Sequence, residues 1–447
     1  MRGVVFLALM LALLPMVVAR PFVGVLLWCW IAFMNPHRAI WGPVADLPWA
    51  AIVFGATAIG LVLARSTERV VPNAMSWMVM ALMACITVTS FTALGPPADV
   101  WAKWEFVFKV GLGLLLTASL LSSRERVHAL AWVIALSLGY YGVKGGIFTV
   151  LHGGSYRVVG PPDSMIADNN HLAVGLLVAV PLMNYLRLQS RHAAVRWGLA
   201  AAMVLTTLGA LGSHSRGALV ALVAGALVFW LRSRHKLVMG AALAACVAGG
   251  IAIMPDRWAD RMESISAYEE DRSASERLLL WRTSFALALD RPLVGSGFRG
   301  PYTREVVDRV DPDAPARAVH SIWFELLGEH GFPTFFVWFG MLALGGWYAW
   351  RLPRVAAGRP DLAWAADFGR MAQVSLVVYA VGGSFLSLSY WDVSWTLLVV
   401  VAAAHTLARR AVLEQLGSAG TAATTWRQRT RMAAPRRLAP AHDGARP

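Results

Sequence analysis

Apolar runs recur along almost the whole chain, at 3–19, 22–34, 48–64, 74–93, 104–121, 127–151, 171–186, 196–211, 216–231, 236–254, 332–350, 366–385 and 391–408. The long runs approach the roughly 20 residues that a helix needs to cross about 30 Å of hydrocarbon. A bilayer offers no water to unpaired backbone groups, and these runs are continuous rather than alternating, so they predict helices and not a barrel. The pattern predicts an all-α, polytopic integral membrane protein with about 12 transmembrane helices. Arg20-Pro21 divides the first two runs, and the short second run leaves the count at 12 or 13. The first run is expected to be retained, because no small-residue cleavage site precedes Arg20 and another apolar run follows at once.

One polar stretch interrupts this pattern. Residues 255–331 hold more than half of the 26 Asp and Glu residues, and predict one large helical loop outside the membrane. Within it, the amphipathic Ser275-Glu276-Arg277-Leu278-Leu279-Leu280-Trp281 predicts a helix on the membrane surface, ended by the Pro and Gly residues of 290–297. The stretch from His320 predicts a short helix that breaks at Gly331 to Pro333 and then enters the membrane.

Cations alternate between loops and give an orientation. Arg65/Arg69, Arg124/Arg126, Arg187/Arg191/Arg196, Arg232/Arg234/Lys236 and Arg351/Arg354/Arg359/Arg370 mark cytoplasmic turns by the positive-inside rule. The connections at 35–47, 94–103, 152–170, 212–216 and 255–331 then face outward. A composition of 57% hydrophobic and 15% charged residues, with mean hydropathy +0.55, fits the same class. The net charge of +14 does not imply nucleic acid, because Arg residues cluster in 409–447 after the last run, where a basic tail contacts anionic headgroups. The expected organisation is an N-terminal transmembrane region at 1–150, a core at 151–408 that includes the loop 255–331, and a basic cytoplasmic tail at 409–447, disordered from about Gly417. Cys29, Cys85 and Cys246 all lie in apolar runs and imply no disulfide framework or thiolate metal site.

Four residues on the outward loops are candidates for chemistry. Arg216, in Gly212-Ser213-His214-Ser215-Arg216-Gly217, sits at the mouth of a span, where it either snorkels to headgroups or holds phosphate oxygens with its planar fork. Gly217 beside it would allow close backbone approach. Arg157 is the one strong cation on a loop stiffened by Gly160-Pro161-Pro162; Asp168-Asn169-Asn170 after it are equally explained as a helix cap. Arg277 either pairs with Glu276 or Asp290 or binds an anion. His320 is either a cap or a general base, the role for which an imidazole is suited near neutral pH. Asp308, Asp311 and Asp313 resemble a divalent-ion spacing, but Pro312 intervenes and neither metal nor cofactor is expected. No Gly-rich nucleotide loop stands between a strand and a helix.

Taken together, Arg157 with 160–170, Ser215-Arg216-Gly217, Arg277-x-x-x-Trp281 with Pro292-Leu293-x-Gly295-x-Gly297, and His320-Ser321-x-x-x-Glu325-x-Leu327-x-Glu329-x-Gly331 resemble the motifs of the O-antigen ligase and polymerase superfamily over roughly residues 150–400. Asn35-Pro36-His37-Arg38-Ala39-Ile40-Trp41-Gly42 and Ala167-Asp168-Asn169-Asn170 are similar to the subgroup of O-glycosylation ligases that accompany exosortase A systems. The resemblance implies metal-independent transfer of a glycan from undecaprenyl diphosphate to an acceptor hydroxyl on a lipid, protein or glycan, at the periplasmic face of a bacterial inner membrane. It implies that Arg216 and Arg277 hold the diphosphate, that Arg157 assists and that His320 acts at the acceptor. Ser321 departs from the family pattern, where Asn is frequent. Two rival readings stand beside this one: a polysaccharide polymerase of the same architecture, and a lipid-linked glycan transporter, suggested by the intramembrane cations Lys109 and Lys144.

Overall fold

A computed structural model of the chain describes residues 1–63, 72–232, 236–237, 240, 248–249 and 272–432. The apolar run 236–254, the stretch 255–271, Arg65, Arg69 and Cys246 therefore lie wholly or largely outside the described residues. No strand occurs among the described residues. In chain order the helices are α1 Arg2–Ala19, α2 Pro21–Met34, α3 Trp49–Leu63, α4 Ala74–Phe91, α5 Pro97–Leu120, α6 Arg124–Leu151, α7 Asn169–Gln189, α8 Ala193–Leu211, α9 Arg216–Arg232, α10 Arg272–Asp290, α11 Arg304–Val307, α12 Ile322–Val355, α13 Ala363–Gly383 and α14 Asp392–Met432.

Seven of them are long and apolar enough to cross a membrane: α1, α4, α6, α7, α8, α12 and α14 over Asp392–Gln415. The helices α2 and α3 are apolar but shorter. The runs at 104–121, 216–231 and 366–385 form α5, α9 and α13. Of these, α5 carries Asp99, Lys103, Glu105 and Lys109, and α9 is 17 residues long. The chain is a helical membrane protein, and the last helix continues through Gly417 to Met432 without a break.

Local chemistry sets the helix ends. Asn73, Ser123 and Asp168 are N-caps whose side chains accept from the backbone N–H of Ser76, Arg126 and Asn170, at 3.1, 3.4 and 2.8 Å. At the junction of the first two runs, Pro21 starts a new helix rather than bending the old one. Phe6 packs edge-on against Trp49 at 5.3 Å, and a Cβ at Gly60 would lie 2.6 Å from the Val18 carbonyl oxygen. Thus α1 runs alongside α3 for the length of the bundle while α2 returns between them, and the two runs are separate antiparallel helices.

Alternating helix directions bring the connections at 35–48, 92–96, 152–168, 212–215, 291–321 and 384–391 to one end, and hydrogen bonds lace them together. Leu94 N–H donates to the Ser296 carbonyl (2.8 Å), Val158 N–H to Gly212 (3.0 Å), and the Asn169 amide to Ser213 (2.7 Å). The expected break in α12 falls at Gly331, with φ 71° and ψ −177°. The Pro292–Gly297 turn packs into that break. Phe332 N–H donates to Pro292 at 2.9 Å, and Gly297 N–H to Glu329 at 2.6 Å. A Cβ at Gly331 would sit 2.6 Å from the Pro292 carbonyl oxygen. The Gly-rich motif is thus the mate of the helix break. Replacing Gly331 by Ala adds to that collision the strain of a backbone conformation almost confined to glycine, about 1–3 kcal/mol. The variant is expected to unfold several degrees below wild type in a detergent thermal melt, and an unchanged midpoint would contradict this packing.

Candidate functional site

The polar end gathers three of the four residues singled out in the sequence. Arg216 is the first residue of α9, where Ser215 Oγ accepts from Ala218 N–H at 3.2 Å. Arg277 lies on α10, one turn before Trp281. The Trp281 indole stacks on Phe324 (5.5 Å between centroids, 14°), donates to the Val319 carbonyl at 3.1 Å, and tilts against Phe385 at 6.3 Å. Phe385 in turn covers Gly217, where a Cβ would be 3.3 Å from it. Gly217 therefore makes room for an aromatic ring, in place of the free backbone approach expected from the sequence. One ring cluster ties the starts of α9 and α12 to α10.

His320 is half-buried and held in the left-handed region, with φ 54°. Such a conformation is uncommon outside glycine and is maintained here from both sides. Trp281 holds the carbonyl of the preceding residue, and Ser387 Oγ accepts from the His320 N–H at 3.0 Å. Ser321 follows as N-cap of α12, and its buried Oγ has no hydrogen-bond partner among the described residues.

The electrostatics of this group are unusual for a protein surface. Glu276 pairs with Arg317 and Asp290 with Arg309 (3.6 Å), so neither acid holds Arg277. Among the described residues Arg277 makes no ion pair. Burial, then the neighbouring Arg216 charge, lower the Arg277 guanidinium below its usual range, and Asp168 opposes them. Burial, then Arg277, His171 and Arg317, push the His320 imidazole down to about 4. Asp168 is held well below the usual carboxylate range, first by its hydrogen bond to His171 Nδ1 (3.3 Å) and further by donors from Asn170. Arg216, Arg277, His320, Asp168, His171 and Arg317 thus form one interacting set.

The sequence left Asp168 open between a helix cap and a part of the site, and it does cap α7, whereas His171 and Arg317 were not singled out. The available signal was Asp168-x-x-His171, one turn apart at a helix start. Arg157 differs from the other three. Its side chain is exposed, and no contact joins it to Arg277 or His320 among the described residues. Its loop is nevertheless pinned to the Arg216 segment, through Val158 on Gly212 and through His214 Nε2 against the Gly154 carbonyl at 2.8 Å.

Beneath His320, the first turns of α12 carry two buried acids. Glu325 accepts from Tyr302 OH (3.2 Å), Ser389 Oγ (2.6 Å) and Ser389 N–H (3.3 Å). Glu329 accepts from Tyr390 OH (2.6 Å) and Arg299 N–H (3.0 Å). The three aspartates of 308–313 do not converge: Asp308 pairs with Arg304, and Asp311 accepts from Asp313 N–H at 3.2 Å. No cluster of three or more metal-ligating side chains occurs among the described residues.

Comparison with known proteins adds two matches. Residues 1–191 match a family of unknown function (DUF5935), and residues 201–339 match the O-antigen ligase family. No curated protein matches the chain. The two matched stretches meet near the α7–α8 turn, so Asp168 and His171 come from the first and Arg216, Arg277 and His320 from the second. The O-antigen ligase match spans Arg216, Arg277 and His320, and together with the helical membrane architecture it supports a relationship of this part of the chain to the O-antigen ligase and polymerase superfamily.

Proposed function

We propose that the protein is a glycan ligase that transfers an oligo- or polysaccharide from undecaprenyl diphosphate to an acceptor hydroxyl at the periplasmic surface. The observation that carries this reading is the half-buried Arg277, without a counter-ion among the described residues and beside Arg216. A half-buried guanidinium near a second one is disfavoured by desolvation and by their repulsion, and a polyvalent anion bound there relieves that cost. A diphosphate matches both the charge and the fork geometry.

In the proposed reaction the acceptor oxygen attacks the anomeric carbon from the face opposite the diphosphate. The bond from that carbon to the phosphate oxygen breaks, and its electron pair leaves with the diphosphate. Arg216 and Arg277 stabilise the charge that develops there. His320 takes the acceptor proton, so the products are the glycosylated acceptor with inverted anomeric configuration and undecaprenyl diphosphate. Asp168 and His171 flank His320 and help to fix the acceptor, and Arg157 supports the loop at the rim. In the empty site the cations around His320 keep it neutral and a weak base. A bound diphosphate offsets those charges and raises its proton affinity, so the donor switches on the base.

Two outcomes are expected. Inorganic pyrophosphate raises the thermal midpoint of the detergent-solubilised protein by a few degrees, Arg277→Gln loses that protection, and the distant Arg354→Gln keeps it. Equal protection of the Arg277 variant would count against an anion site there. In a reconstituted assay with carrier-linked glycan, Arg216→Ala and His320→Ala each lower transfer by about 100-fold or more while the protein stays folded. Chelator leaves the rate unchanged. The acid limb of kcat/KM lies well below pH 6.5, because the free-site His320 titrates near 4, and that of kcat lies higher. Full activity of either Ala variant would overturn the assignment.

A further inference from the structure

The cations that α5 carries are not used by the proposed reaction, and the structure gives them a place. A cavity of about 610 Å³ opens between α2, α5, the 163–166 loop and the start of α14. Its deeper wall is apolar, with Trp28, Ile31, Phe33, Val110 and Ile166. Its rim lies where α2 ends and where α3, α5 and α14 begin, at the same end of the bundle as the Arg216 group. Lys109 lines the cavity nearly three turns below Asp99 along α5. A cation inside a membrane helix is tolerated where it faces such a water-accessible space.

The charges of the lining do not cancel evenly. Arg38 is opposite Asp163 at 3.8 Å, and Lys109 pairs with Glu105. Asp99 and Asp392 stand in the first turns of α5 and α14, where the helix dipole offsets a negative charge. Lys103 and Arg299 remain. Lys103 Nζ lies 5.1 Å from the Tyr390 ring and 5.4 Å from Phe106, and the Arg299 guanidinium 5.0 Å from Tyr302. Neither has a carboxylate within ion-pair distance among the described residues. Both border the cavity on the side of the Tyr390–Glu329 hydrogen bond.

We infer that this cavity is a binding site for an anionic lipid, separate from the arginine pair, with the lipid phosphate between Lys103 and Arg299 and its first methylenes against α2 and α5. The volume suits a headgroup with part of a chain. The order of surfaces, charged rim above apolar wall, matches a lipid entering head outward. Each of the two cations strengthens binding of a lipid anion several-fold, so losing both weakens it by about tenfold or more. The same loop borders this cavity with 163–166 and the candidate reaction site with Asp168 and His171.

The test uses the full-length protein in neutral detergent with a photoreactive phosphatidylglycerol as probe, and does not depend on glycan transfer. Labelling is expected in peptides covering 28–38 and 99–110, displaced by unlabelled phosphatidylglycerol at about tenfold lower concentration than by phosphatidylcholine of the same chains. The double variant Lys103→Gln/Arg299→Gln loses that preference. Ala32→Trp, which fills the cavity without changing charge, loses the labelling itself, and Arg187→Gln at the opposite end retains both. Labelling spread over all helices, or equal competition by the two lipids in the wild-type protein, overturns the site. Since wild-type labelling is the primary readout, a variant that fails to fold does not shield the proposal.

Discussion

Two carboxyl groups buried at the polar end of the bundle, Glu325 and Glu329, hold the rest of that end in place. Five donors from two separate segments close on them: Tyr302 and Arg299 from the 299–302 turn, and Ser389, through its hydroxyl and its N–H, with Tyr390 from the 384–391 connection. Burying such groups without partners costs several kcal/mol, while each hydrogen bond made contributes about 1 kcal/mol net. The segments must therefore converge or leave polar atoms stranded. Because both acids stand on the first turns of α12, that convergence also fixes His320, which immediately precedes the N-cap Ser321. Ser387 and Trp281 complete the hold from outside. The position of a candidate base is thus set by a polar network beneath it, more than by any contact the imidazole makes.

The helices were legible in the sequence because burial in hydrocarbon demands long apolar runs, and α1, α4, α6, α7 and α8 fall within a few residues of those runs. The break at Gly331 was legible for a related reason: Gly followed by Phe-Pro cannot continue a helix smoothly. What no pattern disclosed was why Gly295 and Gly331 are glycines. Each is the other's neighbour, a Cβ on Gly295 falling 2.6 Å from the Gly331 nitrogen, and only three-dimensional contact reveals that pairing. The same limit applied to Glu325 and Glu329, which stood out as motif members without a role.

For the site, charge type and loop position identified Arg216, Arg277 and His320. Arg277 was ambiguous in one dimension because Glu276 and Asp290 are both close in sequence. Folding gives those acids other partners, Arg317 and Arg309. Arg157 was equally prominent as a cation on a stiff loop, yet stiffness places a backbone and not a long side chain, and its guanidinium ends exposed. Asp168 and His171 show the reverse case. A cap is so economical an explanation for Asp168 that a second use, toward Arg277 and His320, is marked in the sequence only by His171 one turn further on.

The choice of a crowded, partly buried imidazole has a chemical consequence for an enzyme of the proposed kind. A glycan on a lipid diphosphate is already activated, so the principal competing reaction is attack by water. A histidine at its ordinary proton affinity would promote that attack whenever solvent reached the site. Here burial and the Arg277, His171 and Arg317 charges keep His320 a weak base until negative charge arrives to balance them. A diphosphate bound as proposed would supply such charge, and beside the arginines, with the 291–321 loop near it, would also displace water from the face where the acceptor must stand. Base strength and exclusion of water then rise together with donor occupancy. On that reading Arg277 does two jobs with one arrangement: with Arg216 it would stabilise the leaving group, and its charge beside His320 would hold the base in reserve.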